Sequence, residues 1–277
     1  MNAPLPPDAQ QGVDRSPLHV DRRNPGASAL PLSLLHGWGM NLAVFDALRD
    51  ALPDVESWAI DLPGHGRSAW RAEHVHFDAQ LDALLESLPA RSVLMGWSLG
   101  GEFAMEIARR HPARVAALVL VSSTPRFARG DDWPHGMGAN ELATFRGLVE
   151  REWRQTLGDF VWLQLRGSRN AEATQQRVAA ALDTHGAPDP AALRAGLDLL
   201  GKVDLRANVA RIPQPALLIA GQNDRVTPPS ATRWIASMLP AAQYAEIPRA
   251  GHASFISHTD EFLGLLRPFL QTQGVVS

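Results

Sequence analysis

The 277-residue chain has no cysteine, which excludes thiol nucleophiles, disulfide staples and thiolate metal sites. Lysine is almost absent: Lys202 stands alone among 26 basic residues, a skew toward arginine that reads as genomic base composition rather than an anion-binding task. Positive charge is not in excess either. With a formal net charge of −3, the chain has no basic footprint for nucleic acid. No run approaches the roughly 18 consecutive apolar residues of a membrane span. The start, MNAPLPPDAQQGVDRSP, lacks the charged front and apolar middle of a secretory signal. A cytoplasmic protein without membrane association is therefore expected. The proline, glutamine and aspartate of that stretch predict a flexible tail over residues 1–17. What the chain does have is 45% hydrophobic content, enough for a full core, so a disordered or coiled-coil chain is excluded.

Short apolar runs ending in glycine or aspartate alternate with longer amphipathic segments, the rhythm of parallel strands joined by helices. Strands are expected over residues 30–35, 57–61, 92–96, 117–122, 216–220 and 244–247, short and continuous because a parallel strand is buried on both faces. Helices fit between them at 41–51, 78–88, Leu99–Arg110 and 230–238. Between Ser122 and Ala216 the rhythm breaks. That block is too long for a loop and holds helical patterns at 140–157, 160–165, 171–182 and 190–200, so it reads as an inserted helical cap. The expected architecture is an α/β core over 18–122 and 216–277 with a helical cap over 123–215.

Residues 95–103 read MGWSLGGEF. The expected strand ends at Gly96 and the expected helix begins at Leu99, so Ser98 lies on the turn between them. Gly96 and Gly100 let neighbouring backbone pass a strained nucleophile without a side-chain clash, and Gly101 lets the helix pack close. A plain glycine-rich turn is the competing explanation. The strand before, the helix after and the partners downstream favour a nucleophilic serine, which needs a base oriented by a third group. His252, in the small-residue loop after the last strand, is the expected base. Asp224, in GQNDRVTPP after the strand at 216–220, is the expected orienting acid. The order serine, aspartate, histidine matches one hydrolase architecture. Asp61, in DLPGHGRS, is the second choice of acid and is expected rather to fix its loop. An oxyanion is expected to meet the backbone N–H groups of Leu99 and of Trp38, which Gly37 and Gly39 flank. His36 is expected to be structural. No histidine and carboxylate spacing suggests a metal, and no cofactor is expected.

The motifs HGWG at 36–39, DLPGHGRS at 61–68, GWSLGG at 96–101, QNDRVTP at 222–228 and GHASF at 251–255 together resemble the α/β-hydrolase fold: a mostly parallel central sheet flanked by helices, with an inserted helical cap. HGWGMN, the tryptophan of GWSLGG, SSTPRF followed by DDWP, KVDLR at 202–206 and FISH at 255–258 are similar to the pimeloyl-[acyl-carrier protein] methyl ester esterases of biotin synthesis. That resemblance implies removal of a methyl group from a carrier-bound dicarboxylate. It makes Ser98, Asp224 and His252 the triad, Trp38 and Leu99 substrate contacts, and Phe160, Val161, Trp162, Leu163 and Gln164 a cap segment along the acyl chain. It also implies cap arginines that hold an acidic carrier protein. Residues 126–202 carry ten basic and ten acidic residues, so placement rather than net charge must decide. Arg151 with Arg154, and Arg166 with Arg169, are spaced to share a helix face. Phe127, Trp133 and Trp153, with Phe160 and Trp162, are candidates to line an apolar channel. A monomer is expected. Other readings of the same residues are a general short-acyl carboxylesterase or lactonase, and a non-catalytic small-molecule receptor. A haloalkane dehalogenase is disfavoured, since that chemistry uses an aspartate where Ser98 stands.

Overall fold

Runs such as LSLL, SVLMGW and ALLIAG leave no polar face for water, so they are stable only where both faces are covered. In the computed structural model, which describes residues 16–165 and 171–276, they form the centre of a seven-stranded sheet. The strands are β1 (Val20–Arg23), β2 (Leu32–Leu35), β3 (Ser57–Ile60), β4 (Ser92–Trp97), β5 (Val115–Val121), β6 (Ala216–Gly221) and β7 (Ala242–Ile247). Their order is β1-β3-β2-β4-β5-β6-β7. All neighbours are parallel except β1, which pairs antiparallel with β3. The chain runs outward from β2 to β3 and returns across β2 to β4, so the strand order reverses beside β2. In such sheets ligands bind outside the carboxyl ends at that switch point. The register sets Leu35 beside Gly96 and Gly96 beside Leu120, which brings the ends of β2, β4 and β5 level.

Helices cover the faces: α1 (Asp46–Asp50), α2 (Phe77–Ser87), α3 (Leu99–Arg110), α4 (Ala139–Leu165), α5 (Ala171–His185), α6 (Pro190–Lys202), α7 (Arg206–Val209), α8 (Pro229–Met238), α9 (Ser254–Ser257) and α10 (Thr259–Thr272). The four from α4 to α7 form a helical insertion between β5 and β6. Among the described residues no helix is long and apolar enough to cross a membrane. Apart from Ser16 and Pro17, the expected tail lies outside the described residues, and so do Arg166 and Arg169.

Two elements depart from the sequence pattern. The expected break between 157 and 160 falls instead at Glu152, whose backbone (φ −144°, ψ 54°) interrupts α4. Gly158 stays helical. A Cβ added there would meet nothing within 4 Å, and a solvent-facing glycine costs a helix only about 1 kcal/mol. Because Arg151 and Arg154 straddle Glu152, their spacing does not set them on one regular helix face.

The other departure is β1, whose sequence VDRR has no apolar alternation. It is an edge strand, where short length and charge are the usual protection against further pairing, and electrostatics hold it. Arg49 is 1% exposed and donates from Nε to Ser57 Oγ, from Nη1 to Asp21 Oδ2 at 2.7 Å and from Nη2 to the Asp21 carbonyl. Burial pushes the Asp21 carboxyl up, but its hydrogen bond to Arg49 and the charges of Arg49 and Arg23 outweigh this and hold it below the usual carboxylate range. Asp21→Ala would leave a buried guanidinium short of a partner. A loss of about 2 kcal/mol is expected, read as a lower urea midpoint at unchanged slope; an unshifted midpoint would refute the account.

Candidate active site

The turn after β4 is the most constrained backbone of the site. Ser98 has φ 56° and ψ −121°, a left-handed conformation that costs a non-glycine residue of order 1–3 kcal/mol and persists only where surrounding packing imposes it. The packing is backbone against backbone. A Cβ on Gly96 would collide with the carbonyl of Gly100, and a Cβ on Gly100 would collide with the carbonyl of Leu35. The first turn of α3 thus lies directly on the ends of β4 and β2, and Ser98 stands at the carboxyl edge of the sheet with helix α3 behind it.

Loops after β6 and β7 bring the other two expected residues to the same edge. Asp224 Oδ2 lies 2.8 Å from His252 Nδ1, with the two side chains 0% and 1% exposed. Asp224 Oδ1 accepts the Val226 and Thr227 N–H groups at 2.9 and 3.0 Å. The carboxylate is therefore held on both oxygens, and Nδ1–H of His252 donates to it, leaving Nε2 as the basic nitrogen. The backbone of His252 is clamped as well. Its N–H donates to the Gln164 carbonyl at the end of α4, and its carbonyl accepts from Trp97 Nε1 at 3.0 Å. The Trp97 ring lies 5.5 Å from the imidazole, so the residue preceding Ser98 packs against His252.

Gly37 is close enough that a Cβ there would come within 3.2 Å of Ser98 Cβ. The HGWG loop therefore flanks the serine. Among the described residues neither the Trp38 nor the Leu99 N–H donates to a turn or loop carbonyl. The loop is held by two histidines. His36 Nε2 accepts the Leu62 N–H at 2.9 Å and Nδ1 donates to the Gly37 carbonyl at 2.8 Å. His65 Nε2 accepts the Gly39 N–H at 3.3 Å and Nδ1 donates to the Pro63 carbonyl at 3.0 Å. Each ring thus uses one nitrogen as donor and one as acceptor, the neutral form. Burial drives the His36 pKa well below its ordinary value, helped by His65, and takes His65 down to about 4. Asp61 holds its own loop to the segment after β2: Oδ2 accepts the Arg67 N–H and Oδ1 accepts the Leu42 N–H. Burial raises its carboxyl above the ordinary value against those two bonds.

The insertion closes the site from above. Trp38 is buried and its Nε1 donates to the Leu193 carbonyl of α6 at 2.9 Å. The rings of Trp38, Phe145 and Phe160 meet pairwise at 5.3–5.4 Å. Of the expected cap segment, Phe160, Val161 and Gln164 are buried, Leu163 is half-buried, and Trp162 faces outward at 43% exposure. Phe127 is buried in the core. Trp133 packs on Trp234 and Trp153 lies under the Arg154 guanidinium, so neither joins the Trp38 cluster. Phe145 and Thr227 are functional candidates that motif matching did not single out. The Thr227 hydroxyl lies 2.7 Å from the Ser122 carbonyl and 3.0 Å from Asp224 Oδ2. Only its position three residues after Asp224 in a turn hints at that.

A family model described as the alpha/beta hydrolase fold matches residues 31–259. A pimeloyl-[acyl-carrier protein] methyl ester esterase of Nitrosomonas europaea is 38% identical over 89% of this chain and 96% of its own. The chain belongs to that esterase family, within the α/β-hydrolase fold. Family members of the same name from Aromatoleum aromaticum and Xanthomonas campestris are 39% and 36% identical, over 83% and 91% of this chain and 94% and 98% of theirs. Among solved structures, a bromoperoxidase from Bacillus anthracis and an esterase from Exiguobacterium antarcticum each superpose with a TM-score of 0.83 over 92% of this chain and 95% of theirs, at 21% and 20% identity. At that identity they establish the fold alone.

The neutral histidines make the loop scaffold acid-sensitive. The folded His65 ring resists a proton that the unfolded ring accepts near 6.5, so its contribution is complete above that pH and declines as pH falls toward 4. Between pH 7.5 and 5 this ring accounts for about 2 kcal/mol of lost stability. His65→Gln, which can still accept the Gly39 N–H but does not titrate, is expected to flatten that dependence. Urea unfolding at the two pH values checks it, and equal losses in both proteins would sink the idea.

Proposed function

We propose that this chain is a serine carboxylesterase that hydrolyses the methyl ester of a pimeloyl-[acyl-carrier protein], releasing methanol. The observation that carries the chemistry is the buried 2.8 Å Asp224–His252 bond beside a serine held at positive φ. Family relatives, similar over nearly their whole length, support the substrate.

In this mechanism His252 Nε2 takes the proton of Ser98 Oγ as the oxygen attacks the ester carbonyl. Asp224 keeps Nδ1 protonated and stabilises the imidazolium that forms. The oxyanion rests on the N–H groups of Trp38 and Leu99, which lie at fixed backbone positions and need no reorganisation when charge develops. His252 returns the proton to the departing methoxide oxygen and methanol leaves. Water, deprotonated by the same imidazole, then releases the free acid and restores Ser98. The Trp38–Phe145–Phe160 cluster and the buried part of the Phe160–Gln164 segment supply an apolar wall for the acyl chain. The carrier is taken to dock on the insertion, where Arg151 and Arg154 are exposed.

The decisive measurement is methanol release from pimeloyl-carrier-protein methyl ester and from a free short-chain ester. Wild type is expected to prefer the carrier-bound ester, and Ser98→Ala to lose at least about 1000-fold in rate while keeping its fold by circular dichroism. Wild-type rates in Ser98→Ala would disprove the triad. Turnover of only the free ester would leave a general esterase or lactonase. Arg151→Glu with Arg154→Glu is expected to raise KM for the carrier-bound ester about tenfold at low salt, with little change for the free ester. Equal effects on both would remove the docking role.

A further inference from the structure

A groove of about 600 Å³ opens between α4, the loop around Gly136 and the turn that follows Asp224. Its inner wall is apolar and is made of the site's own supports. Phe145 is one corner of the aromatic cluster on Trp38. Val226 donates its N–H to Asp224. Leu163 precedes Gln164, whose carbonyl holds His252. The groove therefore lies against the outer side of the site's supports, and Leu148, one of the few large apolar side chains exposed to water, lines it as well.

Its rim is cationic. Arg129 and Arg225 both line it, and among the described residues neither forms an ion pair with a carboxylate. Arg129 is tied down through Nε to the Gly136 carbonyl at 3.0 Å, a bond that restrains the guanidinium and does not use its two terminal amino groups. Arg225 follows Asp224 directly and is exposed. Neighbouring arginines are already used: Arg126 and Arg206 bind Asp132 and Asp204, and Arg146 binds Asp198. The one acid on the rim, Glu141, accepts the Gly138 N–H. An apolar groove beside the site, with two guanidiniums outside any ion pair on its rim, matches a chain with an oxyanion at its far end.

The geometry points to Arg129 and Arg225 as specificity-determining residues that bind the anionic group at the distal end of the ester's acyl chain. Two substrates present that chemistry: a dicarboxylic acid monoester offers a carboxylate, and a carrier-type thioester offers the phosphate of its pantetheine arm. The assignment rests on the esterase function proposed above, which places the ester carbonyl at Ser98.

The experiment compares three free methyl esters without any carrier protein: dimethyl pimelate, monomethyl pimelate and the phosphopantetheine thioester of monomethyl pimelate. Turnover is measured for wild type, Arg129→Gln, Arg225→Gln and the double variant. Equilibrium binding of the same esters is measured by calorimetry on a Ser98→Ala background with and without the arginine changes. The double variant is expected to lower the preference for an anionic over the neutral ester about tenfold, through KM and through the dissociation constant alike, with 0.5 M salt erasing the wild-type preference. Loss of preference confined to the phosphate compound identifies the pantetheine arm as the ligand, and loss confined to monomethyl pimelate identifies a free monoester. An unchanged preference for both anions, or an equal fall for anionic and neutral esters, overturns the assignment. Absent turnover of all three esters by wild type would count against the esterase function itself, and the calorimetric preference would still decide the role of the arginines.

Discussion

The first turn of α3 rests on main chain, and the rest of the site is arranged around that contact. With hydrogen atoms in place of Cβ at residues 96 and 100, the helix descends until its backbone touches the carbonyl ends of β2 and β4. The chain between strand and helix then has too little room for an ordinary conformation, and Ser98 takes the left-handed one. The strain is held by the core beneath it: β2, β4 and β6 are buried at every position. The stability of an apolar sheet thus maintains a backbone geometry that no local sequence preference would choose.

Around that turn, polar groups are distributed so that each loop is fixed by another loop. Asp61 ties the turn after β3 to Leu42, His36 ties the turn after β2 to Leu62, and His65 ties Gly39 to Pro63. These are neutral or singly charged groups whose partners are mostly backbone amides, which suits buried loops because each amide left unpaired would carry a desolvation cost of about 1–3 kcal/mol. Thr227 extends the same scheme to the other half of the site by linking the end of β5 to the Asp224 carboxylate.

What could be read from the sequence followed from period and punctuation. Helix α3 emerges with the bounds that its apolar spacing and terminal arginines imply, and six strands overlap the expected runs, although β7 (AQYAEI) is a partly exposed edge strand and not one buried on both faces. Asp224 and His252 were legible because turn-forming residues mark the ends of the strands before them. The strand β1 was not legible: its side chains are held by Arg49 and Glu56, residues far away in the chain, so nothing local encodes it. The interruption at Glu152 carries no proline or glycine, and Phe145 looks like any aromatic on an amphipathic helix until α4 folds over Trp38. Pairings between distant segments were the common missing term.

Of the hydrogen bonds that join the insertion to the sheet edge, two reach residues of the candidate site itself, one from His252 to the carbonyl of Gln164 and one from the Trp38 indole to the carbonyl of Leu193. Since the first holds the backbone of the expected base and the second the residue beside the expected oxyanion site, the insertion is a structural member of the site as well as its roof. The fold is consequently a poor host for modular engineering by exchange of this segment. A transplanted insertion of different length would have to present two backbone carbonyls at the same two places, or the recipient sheet would keep its core and lose the alignment of its active edge.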